Sequence, residues 1–89
     1  MATYYKHKYG GIYRFITEGI NVDTKLNMVV YEHVYPFSQQ TYVRNKTEFE
    51  TSFRIIDYPQ VCIELSKDKI AFQIEITNYK NASKDNHNP

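Results

Sequence analysis

Between Met28 and Tyr35 the chain alternates with a period of two. Met28, Val30, Glu32 and Val34 fall on one face of an extended segment, and Val29, Tyr31, His33 and Tyr35 fall on the other. That segment is the strongest strand in the sequence. Pro36 ends it because proline cannot donate to a ladder, Ser38-Gln39-Gln40 forms a tip, and Thr41 to Arg44 returns as the second arm of a hairpin. Upstream, Ile12 to Glu18 reads as a strand after the Gly10-Gly11 turn, and Asn21 to Asn27 carries the Asn and Asp residues that make turns. Phe49 and Phe53 stand four residues apart, so Asn45 or Thr47 is placed to cap one helical turn. Asp57-Tyr58-Pro59 then breaks the chain. Beyond it the pattern predicts a second hairpin, Val61 to Leu65 and Ile70 to Thr77 around a Ser66-Lys67-Asp68-Lys69 turn. Ile70, Phe72, Ile74 and Ile76 share its buried face. The segment 80–89 is rich in Asn, Lys and Ser without an apolar anchor and predicts a disordered tail, leaving residues 1–79 as one small β domain.

Composition supports an all-β reading. Nine Tyr, nine Ile, six Val and five Phe stand against two Leu and three Ala in 89 residues, a balance that suits a pleated, half-buried surface better than helices. The same bias toward Phe, Tyr, Ile, Asn and Lys is what an AT-rich genome encodes, such as that of a phage or a low-GC bacterium. Eleven basic and ten acidic side chains give a net charge of +1, so no global field draws in nucleic acid or an anionic membrane and any anion site is local. The single cysteine, Cys62, makes neither an internal disulfide nor a zinc site and fits a reducing cytoplasm, which for a phage protein is that of the bacterial host. No apolar run approaches the roughly 18 residues that span a bilayer. The opening residues lack a signal-peptide core. A soluble protein without a membrane partner is expected.

Two groups of residues carry candidate chemistry. Lys6-His7-Lys8 beside Gly10-Gly11 sets an imidazole and two ammonium groups next to open backbone N–H groups, a combination suited to a phosphate or carboxylate. The competing reading has the lysines snorkelling at a strand start and His7 bonding to the backbone. Arg44 beside Tyr42 offers a guanidinium fork and a stacking plane for a planar anion, or else a salt bridge to Glu48 or Glu50. Tyr31, Tyr35 and His33 share a strand face that either lines a groove or covers a core. Phe49, Phe53, Phe72 and Ile74 are assigned to the core. Cys62, set in a strand between Val61 and Ile63, predicts a buried, inert thiol. The carboxylates and histidines show neither a catalytic pair nor metal spacing, so no catalytic residue, metal or cofactor is assigned.

Three short segments, taken in order, resemble the domain-of-unknown-function family 1653, small bacterial and phage proteins. These are Tyr5-Lys6-His7-Lys8-Tyr9-Gly10-Gly11-Ile12-Tyr13, Thr24 to Tyr35 with its Val29-Val30-Tyr31, and Tyr42-Val43-Arg44 followed by Phe49. The resemblance covers residues 5–53, with Tyr42 where Trp is usual and Asn45 where Pro is usual. It implies a small, strongly bent sheet like a Src-homology-3 barrel, to which the C-terminal hairpin is an addition, and it brings no known activity.

The expected function is a non-catalytic module for a nucleotide-like or otherwise anionic small molecule, held by His7, Lys6, Tyr31, Tyr35, Tyr42 and Arg44. In a phage such a module would be a sponge that sequesters a host nucleotide signal. The Ile70, Phe72, Ile74 and Ile76 stripe is expected to pair with another subunit in a homo-oligomer. The alternative is a small-barrel adaptor for a protein or peptide. The balanced charge counts against a nucleic-acid reader, and an enzyme is not expected.

Overall fold

The chain first reverses at Tyr9-Gly10-Gly11, where both glycines take positive φ, 109° and 97°, a backbone region that a Cβ makes costly. The His7 carbonyl accepts from Gly10 N at 2.8 Å and closes the turn. The computed structural model describes residues 2–87, with side chains from 2 to 83. Around this turn β1 (Tyr4–His7) pairs antiparallel with β2 (Ile12–Ile20). The turn predicted at Asn21 to Asn27 follows, with the Asn21 carboxamide accepting from the backbone N–H of Asp23 and Thr24. It leads into β3 (Asn27–Tyr35), and β4 (Thr41–Asn45) completes the predicted hairpin. Asn45 caps α1 (Lys46–Ser52) by accepting from Thr47 N at 2.9 Å, and β5 (Phe53–Ile56) returns along the outer edge of β1.

The strand order is β4-β3-β2-β1-β5, all antiparallel, and the sheet is open at β4 and β5. It does not close into a barrel. Two register shifts bend it. One falls between Phe15 and Thr17 of β2, and the other lies where Ile12 opposes Tyr35 while Tyr13 opposes His33. The second shift leaves Val34 as an extra residue and reverses the alternation at the end of β3. Tyr35 therefore packs with Ile12 and Val34, on the face opposite Tyr31 and His33.

The C-terminal third corrects the all-β expectation. The predicted hairpin is a pair of helices, α2 (Tyr58–Leu65) and α3 (Lys69–His87), so the fold is mixed α/β. β5 ends at the expected break, but a helix follows it: Asp57 is the N-cap of α2, accepting from Gln60 N at 3.0 Å, with Pro59 in the first turn, where its missing N–H costs nothing. Asp68 accepts from Ala71 N in the same way at the start of α3. Helical periodicity then selects Phe72 and Ile76, four residues apart and 4% and 3% exposed, while Ile70 and Ile74 remain 62% and 56% exposed. The four-residue stripe does not exist as one face, and Ile74 is not in the core. Cys62 likewise lies exposed on α2 instead of inside a strand. The segment expected to be a tail continues α3 as far as residue 87, and residues 88 and 89 lie outside the described residues. Among the described residues no helix is long and apolar enough to cross a membrane.

Helices cover the two faces unequally. Phe49 of α1 packs on Tyr5, Tyr31 and Phe53, with ring centroids 4.9, 5.0 and 4.4 Å away. Val61 of α2 joins Ile12 and Ile56 on the other face. α3 begins against Tyr35, whose ring lies 6.0 Å from Phe72, and then passes the Gly10 turn. There the Tyr9 hydroxyl lies 2.6 Å from Ser83 Oγ. This crossing places Lys80 beside the face that α1 leaves uncovered.

Candidate functional site

The uncovered part of the α1 face is a groove built from the side chains of β1 to β4 that point the same way. One lobe, about 360 Å³, is lined by His7, Tyr13, Tyr31, Tyr42 and Arg44 together with Lys8 and Lys80. A second lobe of about 430 Å³ shares His7, Tyr13, Tyr42 and Lys80 and adds His33, Phe37 and Gln40. Both volumes lie within the usual range for small-molecule sites, about 300–1,000 Å³.

The aromatic floor is continuous. Tyr13 packs edge-on against His33 at 4.6 Å, Phe53 at 5.0 Å and Tyr31 at 5.7 Å, and Tyr31 reaches Tyr42 at 5.7 Å. Burial, with Tyr42 and Tyr31 close by, pushes the Tyr13 hydroxyl up to about 12, so it is a neutral donor. Arg44 sits 5.9 Å from the Phe53 ring and pairs with neither Glu48 nor Glu50. Among the described residues the ion pairs are Lys6–Glu64, Lys67–Glu64, Arg14–Glu32 and Lys46–Glu18. The lobe that contains Arg44 is lined by three cations and no carboxylate.

His7 takes its backbone reading and its groove reading together. Its Nδ1 accepts from Tyr9 N at 3.1 Å, which leaves Nε2 as the protonated nitrogen of a neutral ring. Burial lowers its pKa to about 4, helped by the positive charges of Arg44, Lys80 and Lys8. His33 has the opposite tautomer: Nε2 accepts from Phe37 N at 2.8 Å, and burial, with Lys80 contributing, lowers it to about 4. Each ring offers a ligand an N–H and keeps no acceptor in reserve.

Four of the six expected site residues, His7, Tyr31, Tyr42 and Arg44, meet here. Lys6 and Tyr35 do not. Alternation along β1 sends Lys6 to the opposite face, 2.9 Å from the buried carboxylate of Glu64, which Lys67 also approaches at 2.6 Å. Burial opposes ionisation there, yet the two ammonium groups hold the Glu64 carboxyl below its ordinary range. Tyr35, turned by the bulge, donates to the Lys67 carbonyl. Residue patterning missed Tyr13, Gln40 and Lys80. Tyr13 follows from the β2–β3 register, which no local motif reveals, and Lys80 lies in the segment expected to be a tail.

A different hollow of about 250 Å³ lies beyond α1, lined by Tyr5, Phe15, Val29 and Ile55 among others. Lys46 is there already paired with Glu18, and Glu50 adds a further negative charge, so it does not suit an anion.

The family described as protein of unknown function (DUF1653) matches residues 3–57, more than half of the chain. The chain belongs to this family. No curated protein and no solved structure matches it. The DUF1653 portion comprises the whole sheet and α1, and it supplies His7, Tyr13, Tyr31, Tyr42 and Arg44. α2 and α3 follow the matched region, so Lys80 reaches the DUF1653 groove from outside it.

Proposed function

We propose that the groove binds a small, planar, anionic molecule of nucleotide type and holds it without chemical change. The observation that carries this reading is Arg44. Its guanidinium lies beside aromatic rings, has no carboxylate partner among the described residues, and shares its lobe with Lys8 and Lys80. A cation left without a counterion in a concave, aromatic-lined site favours an external anion, and a guanidinium beside aromatic rings suits one with a flat body. The balanced net charge gives a long nucleic acid little to track.

A non-catalytic role is supported by the histidines and the thiol. The acceptor nitrogens of His7 and His33 are occupied by backbone N–H groups, and their lowered pKa values leave neither as a base poised near neutrality. Cys62 is exposed on α2, a helix that packs against the opposite face of the sheet.

Thermal shift against inorganic phosphate and a panel of mono-, di- and cyclic nucleotides tests the proposal. At about 100 times Kd a bound ligand adds about 2.7 kcal/mol. For a domain of this size that corresponds to a rise in Tm of roughly 10 °C or more. The rise should vanish in Arg44→Ala, whose own Tm should stay near that of the wild type. No shift with any anion, or a shift that Arg44→Ala leaves intact, contradicts it.

A further inference from the structure

The two lobes differ in chemistry. The first holds Arg44, Lys8 and Lys80. The second contains no charged side chain other than the shared Lys80, and the side chains of His7, His33 and Gln40 are left in it as N–H donors. Gln40 accepts the Tyr42 hydroxyl through Oε1 at 3.1 Å, so its amide N–H groups remain to be used. His33 accepts from Phe37 N and retains only an N–H. Thr77 and Tyr42 keep hydroxyl oxygens whose hydrogens are given to the Gln73 carbonyl and to Gln40 Oε1, and the hydroxyls of Tyr13 and Ser38 can turn to donate or accept. Phe37 supplies a half-open ring at the rim.

We infer that the groove is bipartite and takes a nucleoside monophosphate, with the phosphate in the Arg44 lobe and an oxo-bearing base in the Gln40 lobe. This rests on the anion-binding reading above and adds the class of ligand. A molecule that fills both lobes is elongated, charged at one end and flat and neutral at the other. Against the N–H groups of Gln40 and His33 a carbonyl oxygen is rewarded and an amino group in the same position is penalised, because it leaves donor facing donor there. The lobe therefore discriminates uracil from cytosine and hypoxanthine from adenine, pairs that differ in one exocyclic group and little in size. Phe37 and Tyr42 supply the planes against which a base stacks.

Calorimetric titration of the full chain with UMP, CMP, ribose 5-phosphate and inorganic phosphate separates the two layers of the reading. UMP should bind about tenfold more tightly than CMP and than ribose 5-phosphate, the effect of one hydrogen-bonded contact. Gln40→Ala should bring UMP down to the level of ribose 5-phosphate while leaving ribose 5-phosphate within about twofold of its wild-type affinity. IMP and AMP provide the purine version of the comparison. If ribose 5-phosphate binds as tightly as UMP, or CMP as tightly as UMP, the base lobe is overturned and the anion site survives. If phosphate, ribose 5-phosphate and both nucleotides all fail to bind, the anion site itself is overturned. Phe37→Ala should also weaken UMP and spare ribose 5-phosphate, which keeps the test independent of any local collapse caused by Gln40→Ala.

Discussion

Tyr31 and Tyr35, four residues apart on β3, lie on opposite faces of the sheet. Strict alternation puts them together. The extra residue at Val34 separates them, so that Tyr31 floors the groove while Tyr35 packs with Ile12 and donates to the Lys67 carbonyl. Tyr35→Phe should therefore cost about 0.5–1 kcal/mol of stability, the value of one exposed hydrogen bond, and leave nucleotide affinity unchanged. Tyr42→Ala should weaken binding with little loss of stability, because its side chain is on an edge strand and 41% exposed. Urea denaturation and titration of the two variants, compared side by side, check both statements.

Lys6 makes the same point about β1. Adjacency in sequence groups it with His7, but neighbours on a strand face opposite ways, and Lys6 instead balances Glu64, which is 3% exposed. Lys6→Ala should lower stability by leaving that buried carboxylate with Lys67 alone, and should not change ligand affinity. A fall in affinity without a fall in denaturation midpoint would return Lys6 to the groove.

Much of the first two thirds was legible because its signals are local. The Gly10-Gly11 turn, the Asn21 turn, the Met28 to Arg44 hairpin and the Asn45 cap each rest on a few adjacent residues whose chemistry has one structural answer. The C-terminal third is ambiguous in sequence because Ile70, Phe72, Ile74 and Ile76 satisfy a period of two, while the helical spacing of four splits them into Ile70 with Ile74 and Phe72 with Ile76, of which only the second pair is buried. The caps at Asp57 and Asp68 decide between them. The site was half legible for a related reason. His7, Tyr31, Tyr42 and Arg44 lie in short motifs, whereas Tyr13 depends on register and Lys80 on a helix crossing the end of the sheet.

The helical face of α3 gives a direct check. Phe72→Ala and Ile76→Ala should each cost about 2–5 kcal/mol, as buried large-to-small changes do. Ile70→Ala and Ile74→Ala should fall within about 0.5 kcal/mol of wild type. Equal losses at all four positions would restore the single buried stripe of a strand.

Gly10 is tied to the same helix. A Cβ there would lie 3.0 Å from Ile76 Cγ1, in a residue whose φ is already 109°. Gly10→Ala should lose about 1–3 kcal/mol from backbone strain, with a further loss if Ile76 is displaced. Differential scanning calorimetry reads this as a lower Tm.

The histidines set the acid limit of the fold. Both titrate near 4 in the folded chain against 6.5 when free, so between those values the unfolded chain binds more protons than the folded one. Stability is therefore flat above about pH 6.5 and falls as the pH drops toward 4, by about 1–2 kcal/mol per histidine once solvent screening is allowed for. Urea midpoints at pH 8, 6.5, 5 and 4 should show this slope, and His33→Gln should reduce it. A bound anion offsets the charges of Arg44, Lys80 and Lys8, so the His7 ring should titrate higher in the complex than in the free protein, as followed by proton NMR.

Nuclear magnetic resonance of 15N-labelled protein during titration with UMP locates the ligand. The largest shifts should fall on the Arg44 side-chain Nε–H and on the backbone of Tyr42, Gln40 and residues around His7, with Arg14 and Lys46 unmoved. Shifts centred on the Lys46 and Glu18 hollow, or absent from Arg44, would contradict the groove as the site of binding.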